Sequence, residues 1–301
     1  MKKNLGHPLR TPAERYERIT AMKTHHTIAD LCAAFGVSTS GYHAYCHRQT
    51  HPGPRTLADA ELSPKITAAY LRSRGTYGAP RIQQVLRCPG QPTPSRKRIA
   101  RLMKQQRQSA RPRRRYKVKT TDSNHPGPIA PNLLLGKPAV TALDHVWRSD
   151  LTYIGTGEGW LYLCAFKDAC SRRLVGWAMS EKIDTPLVLS ALEMARRSRQ
   201  PKAGLIIHTD RGCQYASEAY RQKLHAMGAI PSMSRRGNCY DNAAMESAWS
   251  TLKLECVYPR TFATRAEARA HLHDYICFYN RERLHSSLGY LSPLDYESLH
   301  H

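Results

Sequence analysis

Acidic residues are scarce in this chain of 301 residues: 23 Asp and Glu stand against 46 Lys and Arg. Three of them occupy positions where chemistry is done. Asp150 sits inside an apolar run, Val146 to Ile154. Asp210 closely follows the short apolar stretch Leu205 to His208. Glu246 lies on a helical pattern with Met245, Trp249 and Leu252 as its apolar stripe, while Glu246, Ser250 and Lys253 share another face. A strand centre, a strand end and a facing helix are places from which carboxylates converge. Together they repel one another unless a cation offsets the charge. Oxygen ligands favour hard cations, so Mg²⁺ or Mn²⁺ is the expected occupant. Two such ions about 3.5–4 Å apart clamp the attacking and leaving oxygens of an in-line phosphoryl displacement.

Those positions require a sheet with helices against it. Beyond Pro138 the pattern predicts strands over Val146–Ile154, Trp160–Phe166 and Arg173–Met179, with turns at Gly155-Thr156-Gly157 and Ala169 to Arg172. Leu187 to Arg197 reads as an amphipathic helix, Leu205 to His208 as a buried strand, and Ser217 to Met227 as a helix. Asp241 is the expected cap of the helix bearing Glu246. Thr264-x-x-Glu267 is a capping box opening a last helix to about Tyr279. Three strands, then helix, strand and helix give a mixed α/β layer.

The rest of the chain carries charge. The net charge is +23 and the pI about 9.9, which disfavours an ordinary metabolic enzyme and favours a polyanionic partner. From Leu62 through Thr121 there is no Asp or Glu and there are seventeen Lys or Arg. Arg96, Lys97 and Arg98, then Arg113, Arg114 and Arg115, are its densest parts. Ile99, Leu102 and Met103 are interleaved at helical spacing, so part of the run is a folded, phosphate-facing element. Such a surface binds duplex DNA with a salt slope of about −0.9 per phosphate contact. Upstream, Thr11-Pro12-Ala13-Glu14 is a capping box opening a helix toward Lys23. Thr27 to Phe35, the turn Gly36-Val37 and a helix capped by Ser38 form a helix-turn-helix pattern, with Ser38, Thr39, Ser40 and His43 as its DNA-facing residues. His51 to Pro54 reads as a linker and a second helical unit as starting at Ser63-Pro64. The expected division is 1–50 and 55–122 as DNA-binding segments, 123–140 as a linker and 141–301 as the catalytic core. Nine cysteines without a C-x-x-C pair read as reduced thiols, and Cys32, His43, Cys46 and His47 match no usual finger spacing. No run reaches eighteen apolar residues and no apolar stretch follows the basic N-terminus, so no membrane helix or secretory signal is expected and the cytoplasm is the expected compartment.

Five C-terminal stretches carry a resemblance: Trp147-x-x-Asp150-Leu-Thr-Tyr153-Ile with Gly159-Trp-Leu-Tyr-Leu163; Ser171-Arg-Arg-Leu-Val-Gly-Trp177; His208-Thr-Asp210-Arg-Gly-x-Gln-Tyr215; Ser234 through Asn242 to Glu246; and Tyr279-Asn-Arg-x-Arg-x-His-Ser-Ser-Leu-Gly-Tyr290. Thirty-five residues separate Asp210 from Glu246. In these the chain resembles bacterial insertion-sequence transposases of the retroviral integrase superfamily, in particular the downstream-frame product of the two-frame families. Leu31 to Tyr45 and Tyr77-Gly78-x-x-Arg81-Ile82 are similar to the helix-turn-helix segments of that group.

The resemblance implies an RNase H-like core in which Asp150, Asp210 and Glu246 bind two divalent ions and catalyse DNA cleavage and strand transfer. It implies that His208 and Asn242 orient the acids, and that Lys253 faces DNA near them. Arg235 and Arg236 would meet DNA from a loop before the catalytic helix. Arg281, Arg283 and His285 would contact DNA or a neighbouring subunit. The implied partners are double-stranded DNA (terminal inverted repeats and target), a second copy in a homodimer or larger assembly, and an upstream-frame DNA-binding protein. The implied route runs through a circular DNA intermediate. Two other readings compete. A regulator using only the N-terminal helices would not need the three acids. A nuclease that cuts without joining would not need two DNA-binding units.

Overall fold

The computed structural model describes residues 11–110, 127–235 and 239–300. Thr11 caps α1 (Pro12–Met22) with both bonds of the capping box: its hydroxyl accepts from the Glu14 amide and the Glu14 carboxylate accepts from the Thr11 amide, each at 3.3 Å. α2 (Ile28–Phe35) ends at Gly36, whose φ of +64° is left-handed and suits glycine. α3 (Thr39–Thr50) begins at Ser38. The three helices close around Ile19, Leu31, Cys32 and Tyr42.

α4 (Pro54–Arg72), α5 (Ala79–Val85) and α6 (Arg96–Gln105) surround a separate core that includes Ile66, Ile82, Ile99, Leu102 and Met103. α4 is longer than the sequence suggested. Pro54 is the first residue of the helix, where its fixed φ is favourable. The helix then continues through Pro64. An interior proline costs about 3 kcal/mol, and burial of Leu62 and Ile66 on either side of it offsets that cost. The turn after α4 docks on the C-terminal half of the chain. Arg74 makes a bidentate pair with Asp274 (2.5 and 3.1 Å), and the Tyr77 hydroxyl accepts from the Leu284 amide at 2.7 Å.

The C-terminal half holds β1 (Val146–Thr156), β2 (Gly159–Asp168), β3 (Leu174–Ser180), α7 (Thr185–Arg199), β4 (Ile206–Thr209), α8 (Cys213–Ala216), α9 (Glu218–Ala226), β5 (Ile230–Met233), α10 (Ala243–Leu252), α11 (Arg265–Arg281) and α12 (Pro293–Ser298). The sheet order is β3-β2-β1-β4-β5. The first three strands are antiparallel, β4 runs parallel to β1, and β5 parallel to β4. α7 covers one face over Trp147, Phe166, Val188, Leu192 and Ile207. α10 and α11 cover the other over Leu161, Leu163, Trp249, Leu272 and Ile276. A Cβ at Gly176 on β3 would overlap the α7 backbone at Ala191 and Ala195, so glycine sets how closely that helix lies.

Three features differ from the sequence reading. β5 was not foreseen: it is four residues long and contains Pro231, which an edge strand tolerates. The short α8 ahead of Ser217 was not foreseen either, while the helix expected over Ser217 to Met227 is α9, which Ser217, itself extended, caps with its hydroxyl. Asp241 does not cap α10. Asn242 does, without a side-chain cap bond, and Asp241 lies in the preceding 3₁₀ turn. Among the described residues no helix is long and apolar enough to cross a membrane.

Candidate active site

Strand register brings two of the three acids together. β1 and β4 pair Val146 with Ile206 and Arg148 with His208. Asp150 follows two residues later on β1, and Asp210 comes directly after the last residue of β4. Both are half-buried and line one pocket with Thr152, Tyr153, Tyr162 and Gln214. The Leu151 amide donates to Asp150 at 2.9 Å and the Gly212 amide to Asp210 at 3.0 Å. Burial and then the charge of Asp210 push the Asp150 carboxyl up to about 8, with a smaller push from Glu246. The Leu151 amide and the Trp249 indole act in the opposite direction. Two carboxylates that share a pocket and repel one another, one of them raised chiefly by burial, are a donor pair that suits a hard divalent cation.

Glu246 stands on α10 outside the lining of that pocket and is largely exposed. Burial raises its carboxyl above the usual range. Among the described residues no group of three or more His, Cys, Asp or Glu is arranged to hold a metal ion. The fold therefore joins Asp150 to Asp210 and leaves Glu246 near enough for its charge to reach Asp150.

Side chains that the sequence reading passed over tie the start of α10 to the sheet. The Arg148 guanidinium donates to the Asp241 carbonyl at 2.5 Å, and Lys167 Nζ to the Ala244 carbonyl at 2.9 Å. Lys167 is buried, and burial is the main reason its ammonium falls to about 7, with Arg172 and Arg148 adding to it. The only sequence signal was a lysine and an arginine inside otherwise apolar strands. Asn242 Nδ2 donates to the Ser149 carbonyl at 3.2 Å, beside Asp150. Asp241 accepts from the Arg235 amide and guanidinium at 2.9 to 3.1 Å and from Asn132 at 3.0 Å, and these charge-assisted bonds pull its carboxyl to about 2.

The remaining expected residues divide. His208 is buried between Ser232 (2.9 Å) and Ser234 (3.0 Å), and burial lowers it to about 4, so it is neutral and joins β4 to β5 without bonding either acid. Lys253 Nζ lies 4.5 Å from the Tyr153 ring centroid, and burial lowers its ammonium below the usual range against the opposing charge of Asp150. Arg283 does not face DNA: it is buried, and Glu255 accepts from it at 2.7 and 2.9 Å while also accepting from the Tyr275 hydroxyl at 2.8 Å. His285 packs edge-on against Tyr279, and burial drives it down to about 2. Arg281 is exposed at the end of α11.

In the helical units, Thr39, Ser40 and His43 are exposed, whereas the Ser38 hydroxyl is spent on the Gly41 amide at 3.1 Å. Cys32 is in the core while His43 and His47 are exposed, which separates the cysteine and histidines considered for zinc. Arg96 and Lys97 are exposed in the first turn of α6, and Arg98 pairs with Asp59 at 2.6 Å. Arg113, Arg114, Arg115 and Arg236 lie outside the described residues.

Family models described as an integrase core domain match residues 141–239 and 227–293, and the first spans all five strands. One described as an HTH-like domain matches residues 56–116. The chain is 45% identical over 272 residues to the "Insertion element IS600 uncharacterized 31 kDa protein" of Shigella sonnei, covering 90% of this chain and 98% of that one. It is 36% identical over 285 residues to "Transposase InsF for insertion sequence IS3A" of Escherichia coli (strain K12), covering 94% and 98%. It is 42% identical over 252 residues to the "Transposase for insertion sequence element IS904" of Lactococcus lactis subsp. lactis (strain IL1403), covering 83% and 98%.

Proposed function

The chain belongs to the insertion-sequence transposases with an RNase H-like integrase core and an HTH-like region, and on that premise we propose how its residues divide the reaction. The protein is a DNA transposase, an enzyme of the polynucleotidyl-transferase type. In our reading Asp150, Asp210 and Glu246 are the catalytic carboxylates and hold two divalent ions, Mg²⁺ or Mn²⁺. The observation that carries this reading is the one pocket that Asp150 and Asp210 line together, where burial and the Asp210 charge push the Asp150 carboxyl up to about 8. Divalent ions bound there would polarise a phosphodiester and offset the charge that gathers on its oxygens.

The residues then act around a phosphodiester in two displacements. Water attacks phosphorus at an element end, the bond to the 3′-oxygen breaks, and a 3′-hydroxyl is freed. That hydroxyl attacks a second phosphodiester, on the same element or on target DNA, so one phosphorus–oxygen bond forms as another breaks. Lys253 places a positive charge near the phosphate. Arg148, Lys167 and Asn242 hold the start of the helix that presents Glu246. Thr39, Ser40, His43, Arg96 and Lys97 hold double-stranded DNA outside the core, the terminal repeats among it. Two copies hold the two ends, and joining proceeds through a circular intermediate in the cytoplasm.

The test is incubation of the full chain with labelled element ends and Mg²⁺, reading cleaved and joined products. Asp150→Asn, Asp210→Asn and Glu246→Gln each abolish both products while DNA affinity stays within about twofold. Normal cleavage by any one of them refutes its assignment.

A further inference from the structure

Resting on that reading, and extending it to a part of the DNA it leaves unplaced, we propose that Trp160 with Tyr153 forms a stacking shelf for an unpaired base of the strand entering the carboxylate pocket. The chain has four tryptophans. Trp147 and Trp249 are buried and Trp177 packs against the core beneath α11, whereas Trp160 is 52% exposed. Trp160 is thus the one tryptophan left largely in water, and what it stands beside gives it meaning. Trp160 opens β2, directly across from Gly155, where no side chain competes with the indole for the sheet surface. It meets Tyr153 edge-on, with ring centroids 4.9 Å apart and planes at 85°. Tyr153 in turn lines the pocket that holds Asp150 and Asp210, and its other neighbour is the Lys253 ammonium. Tyr153 thus links Trp160 to the pocket and has the Lys253 ammonium over its ring.

Tyr153 and Gly155 lie three and five residues beyond Asp150 on β1, or about 10 and 17 Å along a strand rising about 3.4 Å per residue, so the shelf meets DNA away from the phosphate at the acids. Every base offers a π-face, and stacking on an aromatic side chain contributes without regard to sequence. Inside a duplex both faces of a base are covered, so a ring at this place takes a base only where the step has opened. Phosphates of the opened strand then pass Lys253 on their way to the acids.

The test uses the full chain and DNA containing 2-aminopurine in three forms: a short single strand, a duplex mismatched at its end, and the same duplex fully paired. Trp160→Ala weakens binding of the first two by about tenfold, as the loss of one stacked base predicts, and that of the paired duplex by less than about twofold. Trp160→Phe restores most of the affinity. In the unsubstituted protein the single strand shields the exposed tryptophan from acrylamide and the paired duplex does not. This readout decides the matter even if Trp160→Ala fails to fold. An equal change, or none, in the binding of all three DNAs on going to Trp160→Ala, no shielding, or a change in the sedimentation of the DNA-free variant, which would mean that a second copy covers the ring, overturns the shelf. Asp210→Asn separates the two ideas: it abolishes cleavage and keeps the 2-aminopurine signal. Cleavage by Asp210→Asn with the signal intact would refute the carboxylate assignment and leave the shelf standing.

Discussion

Asp150 on β1 and Asp210 directly after β4 stand at the end of the ladder that joins those two strands, whereas Glu246 stands on a helix whose start is fastened by side chains reaching from the sheet. The first arrangement moves only if the sheet moves. The second depends on a few long side chains, two of them buried or half-buried cations that each give a hydrogen bond to a carbonyl. The strands thus carry the pair, and the helix carries a third acid whose position depends on those side chains. Below α10 the same dependence on side chains continues in the buried Arg283–Glu255–Tyr275 cluster, which sits where the helix widens into a π-turn at Lys253–Val257.

Breaking the helix side at its base has the largest effect. Glu255→Gln leaves Arg283 buried without its counter-charge and destabilises the fold by about 3–5 kcal/mol in urea unfolding. A loss within error would mean that this side is not held by its ionic cluster. Gly176→Ala strikes the sheet side instead, because the new Cβ overlaps the α7 backbone. It costs about 1–3 kcal/mol, yet turnover at a temperature where the protein stays folded is unchanged, since the strand pair moves as a unit. Asn242→Ala reverses that signature. It removes one hydrogen bond, about 0.5–1.5 kcal/mol, but lowers kcat with the KM for DNA unchanged, because Glu246 loses its tether to Ser149. If Asn242→Ala raised KM alone, the contrast between the two sides would be wrong.

The smallest effect is a pH slope. Lys167 titrates at about 7 in the fold against 10.5 as the ordinary value. Between those values the unfolded chain binds the extra proton, so stability rises as pH climbs from about 7 toward 10.5. Lys167→Met flattens the rise in melting temperature across that window, and an unchanged slope would show that Lys167 is not held in a low-dielectric site.

The same contrast separates what the sequence made legible from what it hid. β1, β2 and β3 announce themselves because apolar and β-branched residues fill them, and the acid at Asp150 stands out against that background. Pro54 and Pro64 misled, since proline marks a break locally while the core around Leu62 and Ile66 carries α4 through it. β5 is too short and too polar to show a period, and only the neighbouring β4 makes it a strand. Arg283 read as a surface cation because nothing in its own stretch reveals Glu255, twenty-eight residues earlier, as its partner. Arg148 and Lys167 were invisible as supports for the same reason: the carbonyls they hold belong to residues 93 and 77 positions away.

The most direct test of the paired acids is metal affinity measured without DNA or turnover. Calorimetric titration of the folded full chain with Mn²⁺ gives saturable binding that Asp150→Asn and Asp210→Asn each weaken by about tenfold or more, and Glu246→Gln by less. Binding of equal strength in Asp150→Asn and the unsubstituted protein would contradict the account.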